Sequence, residues 1–396
     1  MDSGAIFMKK LTVFKIRFIQ KTLKFFSFFL PIKKQEIFKE KEGLADLSKK
    51  LAKKAKKIMV LVGPNIAKRG YQEEVVSSLN KAGIETLLYI APSSEPDVAM
   101  VNKAHEFYVS NKCDAIFAIG GGSILDLAKA IKSIKKDISA SFGLLKVKKN
   151  KMILIASPTT AGTGSEATFA AVIKDEDDIK RTIISPNILP DYIYFDSTYL
   201  SSLPLNVALF AGLDAFTHDI ESYISNSSSK KTRKYAKESL LLFKSSFAKF
   251  IEDRSNKEAS LDMLLSSFLA GKSFTLAYVG YAHSIGHALG SKYNLPHGLA
   301  VISCLEEVLD FYKGKYPKRK KELEEILGTN DLVKYVSSLK NTYQIKHLEL
   351  DINKEEAKEL ASIAYKESVP LYPVPRIATR EELASLILKI GGKNED

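Results

Sequence analysis

Cysteine is nearly absent from the 396-residue chain: Cys113 and Cys304 are the only two. They cannot build a disulfide framework, and a reducing cytoplasm is the setting they imply. Neither has a second cysteine nearby to complete a thiolate site, so both read as buried apolar fillers. Long apolar runs are missing as well. The stretch MKKLTVFKIRFIQKTLKFFSFFLPIKK breaks its Phe, Ile and Leu with a charge about every third or fourth residue. That excludes a secretory signal and a bilayer-crossing helix, which needs about 20 nearly uncharged residues. Histidine is scarce too, with six in all.

What is present is a soluble globular composition, 45% apolar and 27% charged, in a chain long enough for two domains. The net charge of +13 sits at one end. Residues 1–57 hold 16 Lys or Arg against 5 Asp or Glu, a balance of +11, so the remaining 339 carry +2. A nucleic-acid-binding surface is not what that distribution describes. The basic segment 1–35 is expected to be an amphipathic extension whose aromatic face packs on the rest of the protein or on a partner subunit. Contact with an anionic membrane surface is its second reading.

From about residue 58 short apolar runs recur: IMVLVG, TLLYI, DAIFAIGGG, MILIASP and YIYFD. Helix-length stretches such as 72–81 and 98–111 separate them, the pattern of a mostly parallel sheet with crossover helices. After STYLSSLP, apolar residues recur at three- and four-residue spacing in NVALFAGLDAFTHDIESYIS, KESLLLFKSSFAKFIED and EEAKELASIAYKES. We therefore expect an α/β domain over 36–198 and a helical domain over 199–396.

Two glycine-containing turns follow strands of the first half. Gly120, Gly121 and Gly122 stand where AIFAI ends and a helix begins, a place where backbone amides and the helix dipole suit a phosphate. Ser123 is the expected N-cap and Asp126 an acidic residue of the first turn. SPTTAGTGSEAT, after MILIA, offers Thr159, Thr160, Thr163 and Ser165 as hydroxyls. At one end of a parallel sheet the two turns flank a shared nucleotide crevice. Neither runs into Gly-Lys-Ser or Gly-Lys-Thr, which disfavours ATP chemistry, and no Gly-x-Ser-x-Gly elbow is present.

In the second half Asp214 and His218 are four residues apart, on one face of a helix. His283 and His287 repeat that spacing, and His297 follows Pro296. Four of six histidines thus fall in two clusters, whereas His105 and His347 have no such company. Spacing leaves five candidates, Asp214, His218, His283, His287 and His297, for about four ligand positions, and by itself favours both histidines of HSIGH. One oxygen donor and several imidazoles without thiolate suit Fe(II), Zn(II) or Mn(II).

With GGGSILDLAKAI, SPTTAGTGSEAT, GLDAFTHDIESYIS and HSIGHALGSKYNLPHG in this order, the sequence resembles the iron-dependent alcohol dehydrogenase family over roughly residues 36 to 392. The resemblance implies a Rossmann-like parallel-sheet nucleotide-binding domain followed by a helical metal-binding domain, the dehydroquinate synthase-like fold, with the active site in the cleft between them. It implies Fe(II), with Zn(II) as the alternative, on Asp214, His218, His283 and His297, and leaves His287 to line the site and relay a proton. It further implies that Gly120, Gly121, Gly122 and Ser123 hold a pyrophosphate, with Asp126, Thr159, Thr160, Thr163 and Lys180 elsewhere on the cofactor. The reaction implied is hydride transfer between nicotinamide and a small alcohol or aldehyde, in an enzyme that assembles as a homo-oligomer.

One departure bears on the cofactor. Gly63 stands where NAD-preferring relatives commonly carry an aspartate that bonds the ribose 2′-hydroxyl and repels a 2′-phosphate, so NADP(H) is expected over NAD(H). Competing readings are a glycerol-phosphate dehydrogenase or dehydroquinate synthase-like enzyme, and a non-catalytic, membrane-associated nucleotide-binding protein. The former need a basic anion-binding set, and the loops around residues 283–297 offer only Lys292. Retention of every candidate ligand speaks against the latter.

Overall fold

The computed structural model describes residues 3–27, 29–134 and 137–392, with side chains from residue 12 onward. Lys9 and Lys10 of the expected amphipathic face lie outside the described side chains. Contacts divide the chain into two compact units. One comprises Pro31–Ala208 with Ser246–Gly271, the other Met1–Leu30, Leu209–Ser245 and Lys272–Asp396. This draws the lines differently from residues 1–35, 36–198 and 199–396. Nothing local in the sequence tells what 246–271 packs on. Its Ser246 and Asp262 bond each other at 2.6 Å and its Phe268 meets Phe195 edge-on at 6.0 Å, within the α/β unit.

Helix α1 (Ser3–Ser27) opens the chain. The α/β unit follows with strands β1 (Glu36–Lys39), β2 (Lys57–Val62), β3 (Glu85–Ile90), β4 (Ala115–Gly120), β5 (Gly143–Leu144), β6 (Ile153–Pro158), β7 (Ala170–Lys174), β8 (Lys180–Ile184) and β9 (Tyr192–Phe195). Between them run α2 (Glu40–Ala52), α3 (Pro64–Lys68), α4 (Gln72–Lys81), α5 (Val98–Ser110), α6 (Gly122–Ser133) and, after β9, α7 (Thr198–Ser201). Six strands pair in the order β1-β9-β6-β4-β2-β3, all parallel. Residues of β2 and β4 are shut off from solvent on both faces, which is why these strands read as unbroken apolar runs rather than alternating ones. On one face Val60, Phe117, Ile155 and Tyr194 join Leu44, Leu47 and Leu51 of α2 and Val75 and Leu79 of α4 in one core.

From β2 the chain goes to β3 on one side, then crosses back to β4 on the other. That reversal is the switch point at which open α/β sheets bind ligands, at the strands' carboxyl ends. The sequence reading did not anticipate edge strand β1 or the small sheet β5-β8-β7. β1 has four residues and β5 only two, too few to show a period.

Nine helices follow: α8 (Leu205–Ile224), α9 (Lys230–Glu252), α10 (Lys257–Ala277), α11 (Tyr281–Tyr293), α12 (His297–Phe311), α13 (Pro317–Leu327), α14 (Leu332–Thr342), α15 (Lys354–Ser368) and α16 (Arg380–Gly391), among the described residues. They make up the helical unit except for the start of α8, the end of α9 from Ser246 and α10 as far as Gly271, which belong to the α/β unit. Within the helical unit α11 packs on α12 and α15, and α15 on α16. No helix among the described residues is long and apolar enough to cross a membrane.

Helix α1 joins this unit with its polar side inward. Ile16 and Gln20 are buried. Arg17 donates to the carbonyls of Val374 and Pro375 at 2.7 and 3.0 Å, and Gln20 Nε2 to those of Pro370 and Tyr372 at 3.0 and 2.8 Å. Lys24 Nζ donates to the carbonyls of Asn226 and Ser228 at 2.9 and 3.1 Å. The expectation that the aromatic face packs on the rest of the protein is overturned: Phe14, Phe18, Phe25 and Phe26 are exposed. Free carbonyls in the 370–375 segment offer the hydrogen bonds that draw the polar side in.

Candidate metal centre and nucleotide cradle

Helix α8 presents Asp214, His218 and Glu221 at i, i+4 and i+7, one stripe of the helix. Helix α11 supplies His283 and His287 one turn apart. Helix α12 begins at His297, and Gly298 directly after it lets α12 approach α8. A Cβ there would lie 2.0 Å from the Phe210 carbonyl oxygen, so only glycine permits the contact that brings His297 toward Asp214.

Asp214, His283 and His297 form one cluster, their ligand atoms all within 4.8 Å of one another. Asp214 Oδ1 lies 3.5 Å from His283 Nε2, 3.3 Å from His297 Nε2 and 3.8 Å from His218 Nδ1. His218 falls outside the tight group, stacked between Phe274 at 4.2 Å and His283 at 4.3 Å. Asp214 Oδ1, His218 Nδ1 and His283 Nε2 are all buried with no hydrogen-bond partner. Leaving such atoms unpaired costs about 1–3 kcal/mol each, unless something else satisfies them. Donors held about 2.1 Å from one ion stand roughly 3.4 Å apart in a tetrahedral set, close to the spacings found here. The residues therefore fit a divalent cation.

The electrostatics agree. Burial pushes the Asp214 carboxyl up, but the imidazoles of His218 and His297 outweigh it and hold the group well below the usual carboxylate range. Burial takes His218 down to about 3, so it is a neutral imidazole with a lone pair to give. Burial also opposes charge on His283, but Asp214 and Glu221 outweigh it and raise the group to about 9.

Glu221 was not singled out in the sequence, although GLDAFTHDIE places it on the same stripe as the other two. Its Oε2 accepts His283 Nδ1–H at 2.6 Å and Gly280 N–H at 2.8 Å, and its Oε1 accepts Ala282 N–H at 2.8 Å. That fixes the tautomer and turns Nε2 toward Asp214, as carboxylates behind metal-bound histidines do. Glu221→Gln keeps one acceptor oxygen but turns the other into a donor that faces at least one of these N–H groups. Metal affinity is expected to fall about 10- to 100-fold, read by competition with a chelator.

His287 is 40% exposed at its side chain, and its Nδ1 lies 2.8 Å from Glu367 Oε1. The same oxygen accepts Tyr372 O–H at 2.7 Å. Its ring stacks on His297 at 5.2 Å. Nothing in the sequence pointed to Glu367 or Tyr372, which lie on α15 and in the segment after it. His105 is half-buried in α5 and His347 exposed, both away from the cluster.

In the α/β unit, β4 and β6 are neighbours with Gly120 beside Pro158, so both turns leave the same end of the sheet. Thr160 lies 3.6 Å from where a Cβ of Gly121 would stand, and Thr163 Oγ1 3.2 Å from that of Gly122. Thr159 is buried, and Thr160 and Thr163 are half-buried. Helix α6 starts at Gly122, with Gly121 as its N-cap and no side-chain cap. This corrects the placing of Ser123 as N-cap and of Asp126 in the first turn. Extended backbone at Gly121 lets the helix begin two residues earlier, leaving its first amides uncapped and Ser123 exposed. Uncapped amides beside two small-residue turns fit a phosphate.

Asp126 has protein partners on both oxygens: Ser165 O–H at 2.6 Å and the Val172 amide at 3.0 Å, with Lys129 at 2.9 Å. Lys129, wholly buried, also donates to the Ser165 carbonyl at 2.9 Å and Thr168 Oγ1 at 3.0 Å. The two residues tie the second turn to α6. Lys180 begins β8 and is paired with Glu95 at 2.7 Å. Gly63, at the end of β2, caps α3 in extended conformation.

A family model described as iron-containing alcohol dehydrogenase matches residues 34–197, and its C-terminal counterpart matches residues 208–391. The chain belongs to the iron-containing alcohol dehydrogenase family. It is thus an oxidoreductase of the alcohol dehydrogenase type. It is 30% identical to the NADPH-dependent butanol dehydrogenase of Clostridium saccharobutylicum, over 85% of this chain and 90% of that one. It is 28% identical to the NAD-dependent methanol dehydrogenase of Bacillus methanolicus, over 84% and 92%. The structure of an alcohol dehydrogenase from Oenococcus oeni superposes with a TM-score of 0.83 at 26% identity, over 90% and 98%. The family's Rossmann-like plus helical architecture is the one described above.

Proposed function

We propose that this family member is a metal-dependent alcohol dehydrogenase and aldehyde reductase that uses Fe(II), with Zn(II) as substitute, and prefers NADP(H). The observation that carries the reading is the trio of buried, partnerless donor atoms on Asp214, His218 and His283 beside His297. When bound, a divalent ion supplies Lewis acidity toward the substrate oxygen and a nicotinamide supplies or accepts hydride. Asp214 brings the negative charge, the three histidines nitrogen donors, and Glu221 holds His283 in position. The turns at Gly120–Gly122 and Thr159–Thr163 receive the pyrophosphate, with Ser123 at the mouth and Asp126 stiffening the second turn. Lys180, paired with Glu95, is assigned to the outer part of the nucleotide.

His287 moves the proton. Glu367 holds its Nδ1, which leaves Nε2 to exchange with substrate or solvent. His287→Asn is expected to lower turnover by about 10- to 100-fold and to flatten one limb of the pH profile. An unchanged profile would exclude the relay.

A phosphorylated substrate is disfavoured because Lys292 is engaged by Glu356 at 3.2 Å. For the cofactor, a Cβ at Gly63 would meet only Ile124, at 3.6 Å, so there is room for the carboxylate this chain lacks. NADPH is expected to exceed NADH in kcat/KM by about tenfold or more, and Gly63→Asp to reverse the preference. The deciding experiment is anaerobic reconstitution with Fe(II), Zn(II) or no metal, followed by NADPH and NADH oxidation with short aldehydes. Turnover is expected only with metal; none with any of them overturns the reading.

A further inference from the structure

Helix α1 is inverted relative to an ordinary surface helix, because its hydrogen-bonding side faces the protein and its aromatic side faces out. Phe14, Phe18 and Phe25 lie on one line of the helix with Lys21, and Phe26 stands beside them with Lys15. The four rings are 67, 64, 59 and 61% exposed in chain order, and Phe29, just beyond the helix, is 70% exposed. Contiguous exposed aromatics on a docked helix call for an occupant.

Charge selects the occupant. Residues 3 to 35 contain no Asp or Glu. Arg17 and Lys24 are turned inward and Lys33 pairs with Asp191, which leaves Lys15 and Lys21 as the described helix cations beside the rings. Two copies of this strip laid against each other would bury lysines facing lysines, with no carboxylate on either side. An anionic lipid surface instead takes the rings into its headgroup boundary and the lysines against its phosphates. The helix is already held by Arg17, Gln20 and Lys24, so the strip beside them is presented without having to unfold or detach. We propose that the outer face of α1 is a docking surface for anionic membrane, which holds the protein on the bilayer without crossing it.

The test uses the full chain with sedimented vesicles of phosphatidylcholine alone or of phosphatidylcholine and phosphatidylserine at about 7:3. Partitioning is expected to be about tenfold or more stronger onto the anionic vesicles and to be lost in high salt. Lys15→Ala with Lys21→Ala should weaken it by about thirtyfold. Phe14→Ser with Phe18→Ser and Phe25→Ser should weaken it at least tenfold, with helicity and metal content unchanged. Failure to bind anionic vesicles, or binding that survives both sets of substitutions, overturns the proposal. So does a fall in solution mass on the phenylalanine substitutions in the absence of lipid, which would make a second copy of the chain the occupant.

Discussion

His283→Ala is expected to leave the purified protein with less than about a tenth of an equivalent of metal after reconstitution, and to lower turnover by about a thousandfold or more. Two effects combine in it. One of three clustered donors disappears, and Glu221, itself only 2% exposed, keeps its two amide bonds but loses its cationic neighbour deep in the unit. The variant should therefore also melt at lower temperature, by an amount in keeping with an uncompensated buried carboxylate, about 3 kcal/mol. His297→Ala isolates the first effect. Its side chain is 45% exposed, so metal and activity should be lost with little change in melting. Metal analysis, turnover and calorimetry on the pair separate ligation from folding. Full metal retention by both would remove the site from the reading.

Glu166→Gln is expected to raise stability at pH 8 by about 3 kcal/mol relative to the natural chain and to change it little at pH 4.5. Glu166 sits in the second turn, 1% exposed, and its Oε1 has no hydrogen-bond partner. Burial pushes its carboxyl up to about 7 from 4.5, against smaller downward pulls from a backbone amide and from Lys129. Between those two values the folded chain keeps a proton that the unfolded chain has released, so stability falls as pH rises through the window and levels off above about 7. At about 1.4 kcal/mol per pKa unit the total is about 3 kcal/mol. In a chain of this size that corresponds to roughly 4 °C in Tm. A difference in Tm between the two proteins that is flat from pH 4.5 to 8 would mean that Glu166 does not titrate there.

How far the sequence could be read depended on whether the signal was local. Four of the five apolar runs are the central parallel strands, continuous because they are buried on both faces, whereas TLLYI is the edge strand β3 with Leu88 and Ile90 exposed. The helix over 72–81 coincides with α4 because its period is unbroken. Asp214, His283 and His297 were legible because imidazole is rare here and its spacing conspicuous. Glu221, Glu367, Tyr372 and Lys129 were not, because ordinary charged or aromatic residues at helical spacing acquire meaning only from a partner tens of residues away. The same limit applies to 246–271, whose neighbours no local signal names. It applies again to α1, where amphipathicity was visible but which side faced inward was decided by carbonyls near residue 372.

Those carbonyls set an order in time. Gln20 and its acceptor at Pro370 are 350 residues apart. At about 5–20 residues per second of synthesis, the helix waits roughly 20–70 s before its anchoring segment exists. For that interval its inner polar side is as unoccupied as its outer aromatic side, and the two ends of the chain close on each other only when nearly all of it has been made.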